Sequence, residues 1–288
     1  MPEHSSDLAA FEDRDVEAVV RDEVKLAIGR YQHQAYPHAI LLAGQPGAGK
    51  TELSSMLSSE MSGDAAFING DDYRRYHPHR RQLYQEFGSD SVRMTSPFSN
   101  AVTERLIKEL SDLHFNLVIE GTGRTVQVPK STAELLTAKG YTVDMAVIAA
   151  RPEISLISTL LRFYRMNEVG TIPRATAISA HDNVVAALPG NLDTLSSLPC
   201  ISRLAIWNRE LELLFDSSLE IGLPSEVLLE HWHSPWAEDE IRNAQAAIDI
   251  LREKEQRNQL GQGAAIDELA RRIEAAEMKG PTLDMTMM

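Results

Sequence analysis

A chain of 288 residues with 43% hydrophobic side chains can bury a substantial core, and its length suits one large domain or one domain with an appendage. A formal net charge of -14 excludes a general nucleic-acid role, since neutralising a phosphate backbone takes a basic surface, and any anionic substrate has to be met by a local cluster of arginines. The single cysteine, Cys200, excludes an intramolecular disulfide framework and a sulfur-rich zinc site, which fits a reducing cytosol and a small core residue.

In chain order, the acidic start MPEHSSDLAAFEDRD lacks the basic-then-apolar layout of a secretory signal, and no apolar run approaches the roughly 20 residues that span a bilayer. The expectation is a cytoplasmic protein with no membrane and no nucleic-acid partner. Leu8, Phe11, Val16, Val19, Val20, Val24, Leu26 and Ile28 recur at helical spacing, predicting a helical flank over about residues 7–31. Short apolar runs then alternate with helical stretches: Ala39 to Ala43, Ala66 to Asn69, Leu117 to Glu120, Val143 to Ala150 and Arg203 to Trp207. Runs of this length between helices read as βαβ units, so the fold class is α/β, a mostly parallel sheet sandwiched between helical layers. This core is expected to end near Asp216, with a connection broken by Gly222 and Pro224. A helical C-terminal region, residues 223–288, follows, with Ser234 as N-cap, Pro235 at the first helical position, a break at Gly261 to Gly263, a second helix ending at Gly280 and a frayed tail.

Gly44-Gln45-Pro46-Gly47-Ala48-Gly49-Lys50-Thr51 matches G-x-x-x-x-G-K-[ST] at every fixed position, between a predicted strand and a predicted helix. Backbone N–H groups converging at a helix N-terminus bind phosphate oxygens, the lysine adds a point charge, and the Thr51 hydroxyl is placed to hold Mg²⁺. The loop thus implies a nucleoside triphosphate, ATP or GTP, with magnesium. The next two strand runs end in acids, at Gly70-Asp71-Asp72 and at Glu120-Gly121-Thr122, and the carboxyl ends of strands are where ligands bind in such sheets. One of Asp71 and Asp72 is expected to accept a hydroxyl proton and the other to cap a helix. Glu120 and Thr122 are candidates for an acceptor hydroxyl or a metal-bound water. Arg162, Arg165 and Arg174 sit on and after a late helix, where cations can close over transferring phosphates. The motifs leave open a nucleoside or antibiotic O-phosphotransferase, or a switch that only binds or hydrolyses triphosphate.

The series INGDDYRRYHP, SPFSNAVTERLI, NLVIEGTGRT, RFYRMNEVGTIPRAT, HDNVVAALPGNLDTL and RLAIWNRE resembles, in order, the zeta toxins of bacterial toxin–antitoxin systems, over about 170 residues. The resemblance implies a P-loop kinase that phosphorylates the 3′-hydroxyl of UDP-N-acetylglucosamine or a related UDP-amino sugar and so interferes with cell-wall precursor supply. It implies Asp71 as catalytic base, Lys50 on the phosphates, Arg162 and Arg174 on the transferring group, Glu104, Glu120 and Thr122 on the sugar, and Asn208 and Arg209 near the nucleotide. The second acid Asp72 and a slightly shorter stretch between Arg162 and Arg174 depart from the family form. Zeta toxins are silenced by a separate helical antitoxin. Here residues 223–288 carry 13 Asp and Glu against 7 Lys and Arg, and two readings stand: they inhibit the kinase in cis, their carboxylates meeting the phosphate cleft, or they only complete the kinase fold.

Overall fold

The apolar runs are strands because both faces of the sheet they form are covered. In the computed structural model, which describes residues 7–278, the elements run α1 (Asp13–Ile28), β1 (His38–Ala43), α2 (Lys50–Glu60), β2 (Ala65–Asn69), the single turn α3 (Gly70–Tyr73), α4 (Arg80–Phe87), α5 (Ser91–Asp112), β3 (Asn116–Glu120) and α6 (Gln127–Ala138). They continue with β4 (Thr142–Ile148), α7 (Pro152–Glu168), α8 (Ile178–Ser196), β5 (Arg203–Trp207), β6 (Leu213–Asp216), α9 (Pro224–His233), α10 (Glu238–Asn258) and α11 (Gly263–Glu277). The strand order is β2-β3-β1-β4-β5-β6, parallel throughout except for the antiparallel edge pair β5 and β6. Alternate residues divide between two cores, as the period of two requires. Ala39, Leu41, Leu117, Val143 and Met145 pack under α1, α5 and α8, while Ile40, Leu42, Val118 and Ala146 pack on Leu53 and Leu57 of α2.

The flank α1 buries Val16, Val19, Val20 and Ala27 in the main core and leaves Leu26 and Ile28 exposed, because Ala27 takes the buried position in the last turn and its two neighbours point off that face. Cys200 is half-buried against the same core.

Two elements correct the sequence reading of the C-terminal region. Pro224 starts α9 rather than breaking the chain, and Leu228 and Trp232 of α9 belong to the same core as the sheet, so a cut at residue 222 would strip a covering helix. Ser234 ends α9 instead of capping the next helix. The cause is Arg151, buried at the end of β4, whose guanidinium donates to the carbonyls of Ser234 at 2.8 Å and Pro235 at 3.2 Å and holds this segment extended. α10 starts three residues later, behind Ala237, whose N–H donates to Glu240 at 2.9 Å. α10 and α11 then pack on α7 through a third core of Leu156, Leu160, Phe163, Ile248, Leu251 and Leu269. The predicted stop at Gly280 and the tail beyond lie outside the described residues.

The edge strand is pinned by a buried ion pair, Arg203 Nη2 on Asp216 Oδ2 at 2.6 Å, with Asp216 only 3% exposed. The Arg203 guanidinium, outweighing burial and helped by Ser218, holds the Asp216 carboxyl down at about 2 against an ordinary 3.8. A depressed carboxyl stabilises the fold above its unfolded value, and that contribution is lost as pH falls toward the folded one. Asp216→Asn is therefore expected to cost roughly 2 kcal/mol of unfolding free energy at pH 7. In denaturant titrations the gap from the unsubstituted chain should close as the pH approaches 2.

Candidate active site

β1 runs directly into the loop Gly44 to Gly49, and α2 begins at Lys50 behind Gly49, which adopts φ 108° with no side-chain cap, leaving first-turn N–H groups free for an anion. Gly44 N–H donates to the Thr122 carbonyl at 3.3 Å, tying the loop to the segment after β3. The buried Gln45 amide donates to the Ala150 carbonyl at 2.6 Å, and Ala48 is fully buried, so these two side chains anchor the loop while its backbone and the half-buried Pro46 ride above them. Lys50 Nζ donates to the carbonyls of Gly44 at 2.8 Å and Gln45 at 3.2 Å and lies 3.7 Å from Glu120 Oε1. Thr51 is exposed on the first turn, and its hydroxyl forms no hydrogen bond among the described residues. A single free hydroxyl suits Mg²⁺, which keeps most of its waters and takes phosphate oxygens. A resident cage of three or more His, Cys, Asp or Glu is absent among the described residues.

Strand order sets the rest. β3 lies between β1 and β2, so Glu120 at its end stands between Lys50 and the turn that follows β2. That turn is capped by Asn69, whose side chain accepts from Asp71 N–H at 3.0 Å; neither Asp71 nor Asp72 caps it, and Asp71 is left free for the cleft. The Asp71 carboxylate accepts from Arg74 Nε at 2.8 Å and lies 3.6 Å from Arg174 Nη1, which also donates to the Asp71 carbonyl at 3.0 Å. Arg74 is itself fixed on α5 by Val92 O, Thr95 and Ser96.

Burial pushes the Asp71 carboxyl up, but Arg174 and Arg74 together outweigh it and hold the group below its ordinary value. Burial also pushes the Glu120 carboxyl up, with Lys50 opposing, and pushes the Lys50 ammonium down, with Glu120 opposing and Arg162 adding to the fall. Arg162 keeps much of its side chain exposed and forms no ion pair or hydrogen bond among the described residues, yet it lies within electrostatic reach of Arg174, Asp71 and Glu120, and the partial desolvation of its guanidinium, then Arg174, lower its pKa. Lys50, Arg162 and Arg174 thus crowd one cleft with too few carboxylates to satisfy them, which is the electrostatic signature of an anion site. Arg165, the third arginine of the predicted lid, is exposed and outside this cluster.

Next to Asp71 a cavity of about 200 Å³ is lined by Asp71, Asp72, Arg74, Arg75, Arg80 and Arg174 together with residues of α5 and of the 166–174 segment. Burial, then Arg174, Arg81 and Arg75, push the Arg80 guanidinium down. Arg74, Arg75 and Arg80 were not singled out from the sequence; the doubled arginines at 74–75 and 80–81 in so acidic a chain were the available signal.

Other expected residues are placed less simply. Glu104 is exposed on α5, one residue past Thr103, which faces Gly70, and it forms no hydrogen bond or ion pair among the described residues. Thr122 accepts from Arg124 N–H at 3.3 Å. Asn208 closes the β5–β6 turn, donating to Glu212 Oε2 at 2.7 Å and accepting from Glu212 N–H at 2.8 Å. Arg209 does reach the loop, donating to Ser158 Oγ at 3.0 Å and to the Gly47 carbonyl at 3.5 Å.

With that geometry in place, the chain can be set beside known proteins. Toxin PezT of Streptococcus pneumoniae serotype 4 (strain ATCC BAA-334 / TIGR4) is 40% identical over 218 residues, 75% of this chain and 86% of PezT. Toxin zeta of Streptococcus pyogenes is 39% identical over 216 residues, 75% of each chain. A solved chain of the PezAT chromosomal toxin–antitoxin system of Streptococcus pneumoniae superposes with a TM-score of 0.78 at 35% identity, covering 86% of this chain and 99% of that one. The Zeta toxin family model matches residues 22–220, well over half the chain and all of the cleft just described, so the chain belongs to the zeta toxin family.

Proposed function

We propose that the protein is a toxin kinase that transfers the γ-phosphoryl group of ATP or GTP, as its Mg²⁺ complex, to the 3′-hydroxyl of UDP-N-acetylglucosamine or a related UDP-amino sugar in the cytoplasm, interfering with cell-wall precursor synthesis. The observation that carries this reading is the cleft at the strand ends in which Glu120, 3.7 Å from the phosphate-loop Lys50, stands between it and Asp71, whose carboxylate lies 3.6 Å from Arg174, with Arg162 within electrostatic reach. Asp71 accepts the acceptor's hydroxyl proton, and Glu120, Thr122 and Glu104 orient the sugar. The Thr51 hydroxyl would hold Mg²⁺, which when bound would supply charge neutralisation on the triphosphate. Lys50 leaves its loop carbonyls for the phosphate oxygens, and Arg162 and Arg174 meet the charge on the transferring group.

The cavity beside Asp71 favours an anionic acceptor over a neutral or cationic one, because four arginines line it. Four arginines against the two carboxylates Asp71 and Asp72 support a diphosphate-bearing sugar over a polycationic aminoglycoside. Arg80→Ala is expected to raise the KM for the acceptor about tenfold or more, the scale of a charge-assisted contact, with nucleotide affinity unchanged. Mass spectrometry of a UDP-sugar mixture incubated with the protein, Mg²⁺ and ATP tests the acceptor directly. A gain of one phosphate on UDP-amino sugars supports the reading, and consumption of ATP without a phosphorylated sugar ends it.

Inhibition in cis by the C-terminal helices would need carboxylates in the phosphate cleft. In the structure Glu240 meets Arg151, Glu255 meets Tyr164, and Glu268 meets Arg271 and Arg272, all away from Lys50. The paired carboxylates of this region meet groups on their own helices, on α7 and at Arg151. Inhibition in cis would then require a second arrangement of α10 and α11, different from the docked one seen here.

A further inference from the structure

The residue beneath the phosphate loop belongs to α7, and it is the first of a chain of contacts leading out to α11. A Cβ added at Gly47 would sit 2.1 Å from the Ser155 carbonyl oxygen, so the loop rests directly on that residue. Ser155 Oγ lies 2.7 Å from His181 Nε2, and both residues are 0% exposed. His181 Nδ1 lies 3.1 Å from Asp182 Oδ1. Asp182 takes both Nη groups of Arg272 on α11, at 3.0 and 2.8 Å, and Arg272 Nε donates to Glu268 at 2.9 Å.

We propose that His181 is a positioning residue for the phosphate loop, and that Arg272 of α11, through Asp182, sets the ring that holds Ser155 under Gly47. The proposal rests on the kinase reading of that loop. A carboxylate on Nδ1 fixes a ring so that Nδ1 carries the proton and Nε2 presents a lone pair. Burial, with Arg272 adding to it and Asp182 opposing, holds the His181 imidazole below its ordinary value. In the neutral ring Nε2 accepts the Ser155 hydroxyl proton, in competition with the Pro152 carbonyl that the hydroxyl also reaches at 2.8 Å. This fixes the first turn of α7, the helix whose second turn carries Ser158, the partner of Arg209 on the far side of the loop. The helix pair α10 and α11 is then part of the nucleotide-binding apparatus, and loosening it lowers nucleotide affinity rather than releasing an inhibited enzyme.

The test uses the full chain. Binding of a non-hydrolysable ATP analogue with Mg²⁺ is followed by calorimetry, which needs no acceptor, beside Tm and the KM values for nucleotide and acceptor. Arg272→Ala, at a partly exposed site where the chain keeps its core, is expected to weaken nucleotide binding roughly tenfold with the acceptor KM unchanged. His181→Leu should match it, and His181→Gln, which keeps a polar group toward Ser155, should recover most of the loss. Asp182→Ala with Arg272→Ala should be no worse than either alone, as a shared chain requires. Variants that bind the analogue like the unsubstituted chain, whatever their Tm, or a higher transfer rate in Arg272→Ala, overturn the proposal. If the unsubstituted chain itself fails to bind the analogue, the kinase reading falls and this inference with it.

Discussion

Asp71→Asn is expected to lower phosphoryl transfer by about 10²-fold or more while nucleotide binding persists. Asn is isosteric and can still accept from Arg74 and face Arg174, so the geometry of the turn is kept and only the proton-accepting charge is lost. The neighbouring acid is the comparison: Asp72 lines the same cavity but pairs with no arginine among the described residues, so Asp72→Asn should slow transfer far less than Asp71→Asn. The pH profile adds a second check. Because Arg174 and Arg74 outweigh burial and hold the Asp71 carboxyl below its ordinary value, the acid limb of the rate should fall below the usual carboxylate range. Disarming Arg174 by Arg174→Gln should move that limb to higher pH as well as slow transfer. Single-turnover kinetics on Asp71→Asn separates a kinase from a nucleotide switch. A switch needs no acceptor base and would keep its nucleotide turnover, which is the outcome that would remove the base assignment.

The parts of this site that lie close together in the chain were legible in the sequence, and those that meet only through folding were not. The phosphate loop is eight consecutive residues between an apolar run and a helix, so composition and context both pointed to it. The five parallel strands were visible because burial on both faces makes them nearly continuous apolar runs. β6 escaped notice: at four residues on the sheet edge, with Leu213 exposed, it lacks that pattern. Ser234 misled because a serine before a proline and three acids is a sound local start signal, yet Arg151, 83 residues earlier, claims its carbonyl and defers the helix to Glu238. The arginine lining of the cavity comes from residues 74, 75, 80 and 174, whose convergence needs the order β2-β3-β1-β4 to be known first. Arg74 is the instructive case, since nothing in its sequence neighbourhood distinguishes the guanidinium that grips Asp71 from the solvated one beside it.

Gly47→Ala should be among the most damaging single-methyl changes to nucleotide binding. Gly47 adopts φ 81°, a conformation that an alanine enters only with strain. Its new Cβ would also lie 2.1 Å from the Ser155 carbonyl oxygen and 2.9 Å from Thr159 Cγ2. Neither obstacle is a flexible side-chain end: one is backbone inside α7, and Thr159 is only 2% exposed and donates to the Leu156 carbonyl at 2.8 Å. The loop therefore has to move, by about 1 Å to restore an ordinary contact, and a shift of that size in a positioning loop is worth on the order of 10²-fold. Overpacking and the positive φ together should also cost roughly 2–4 kcal/mol of stability. Gly190→Ala is the matched control. Gly190 lies inside α8 without a positive φ, its added Cβ would meet nothing within 4 Å, and the change should leave nucleotide affinity alone while raising stability by about 0.5–1 kcal/mol. Calorimetric titration of both variants with the Mg²⁺–ATP analogue makes the comparison. A Gly47→Ala protein that binds nucleotide normally would mean that α7 yields to the loop, and that Ser155 is not the floor on which the phosphate site is built.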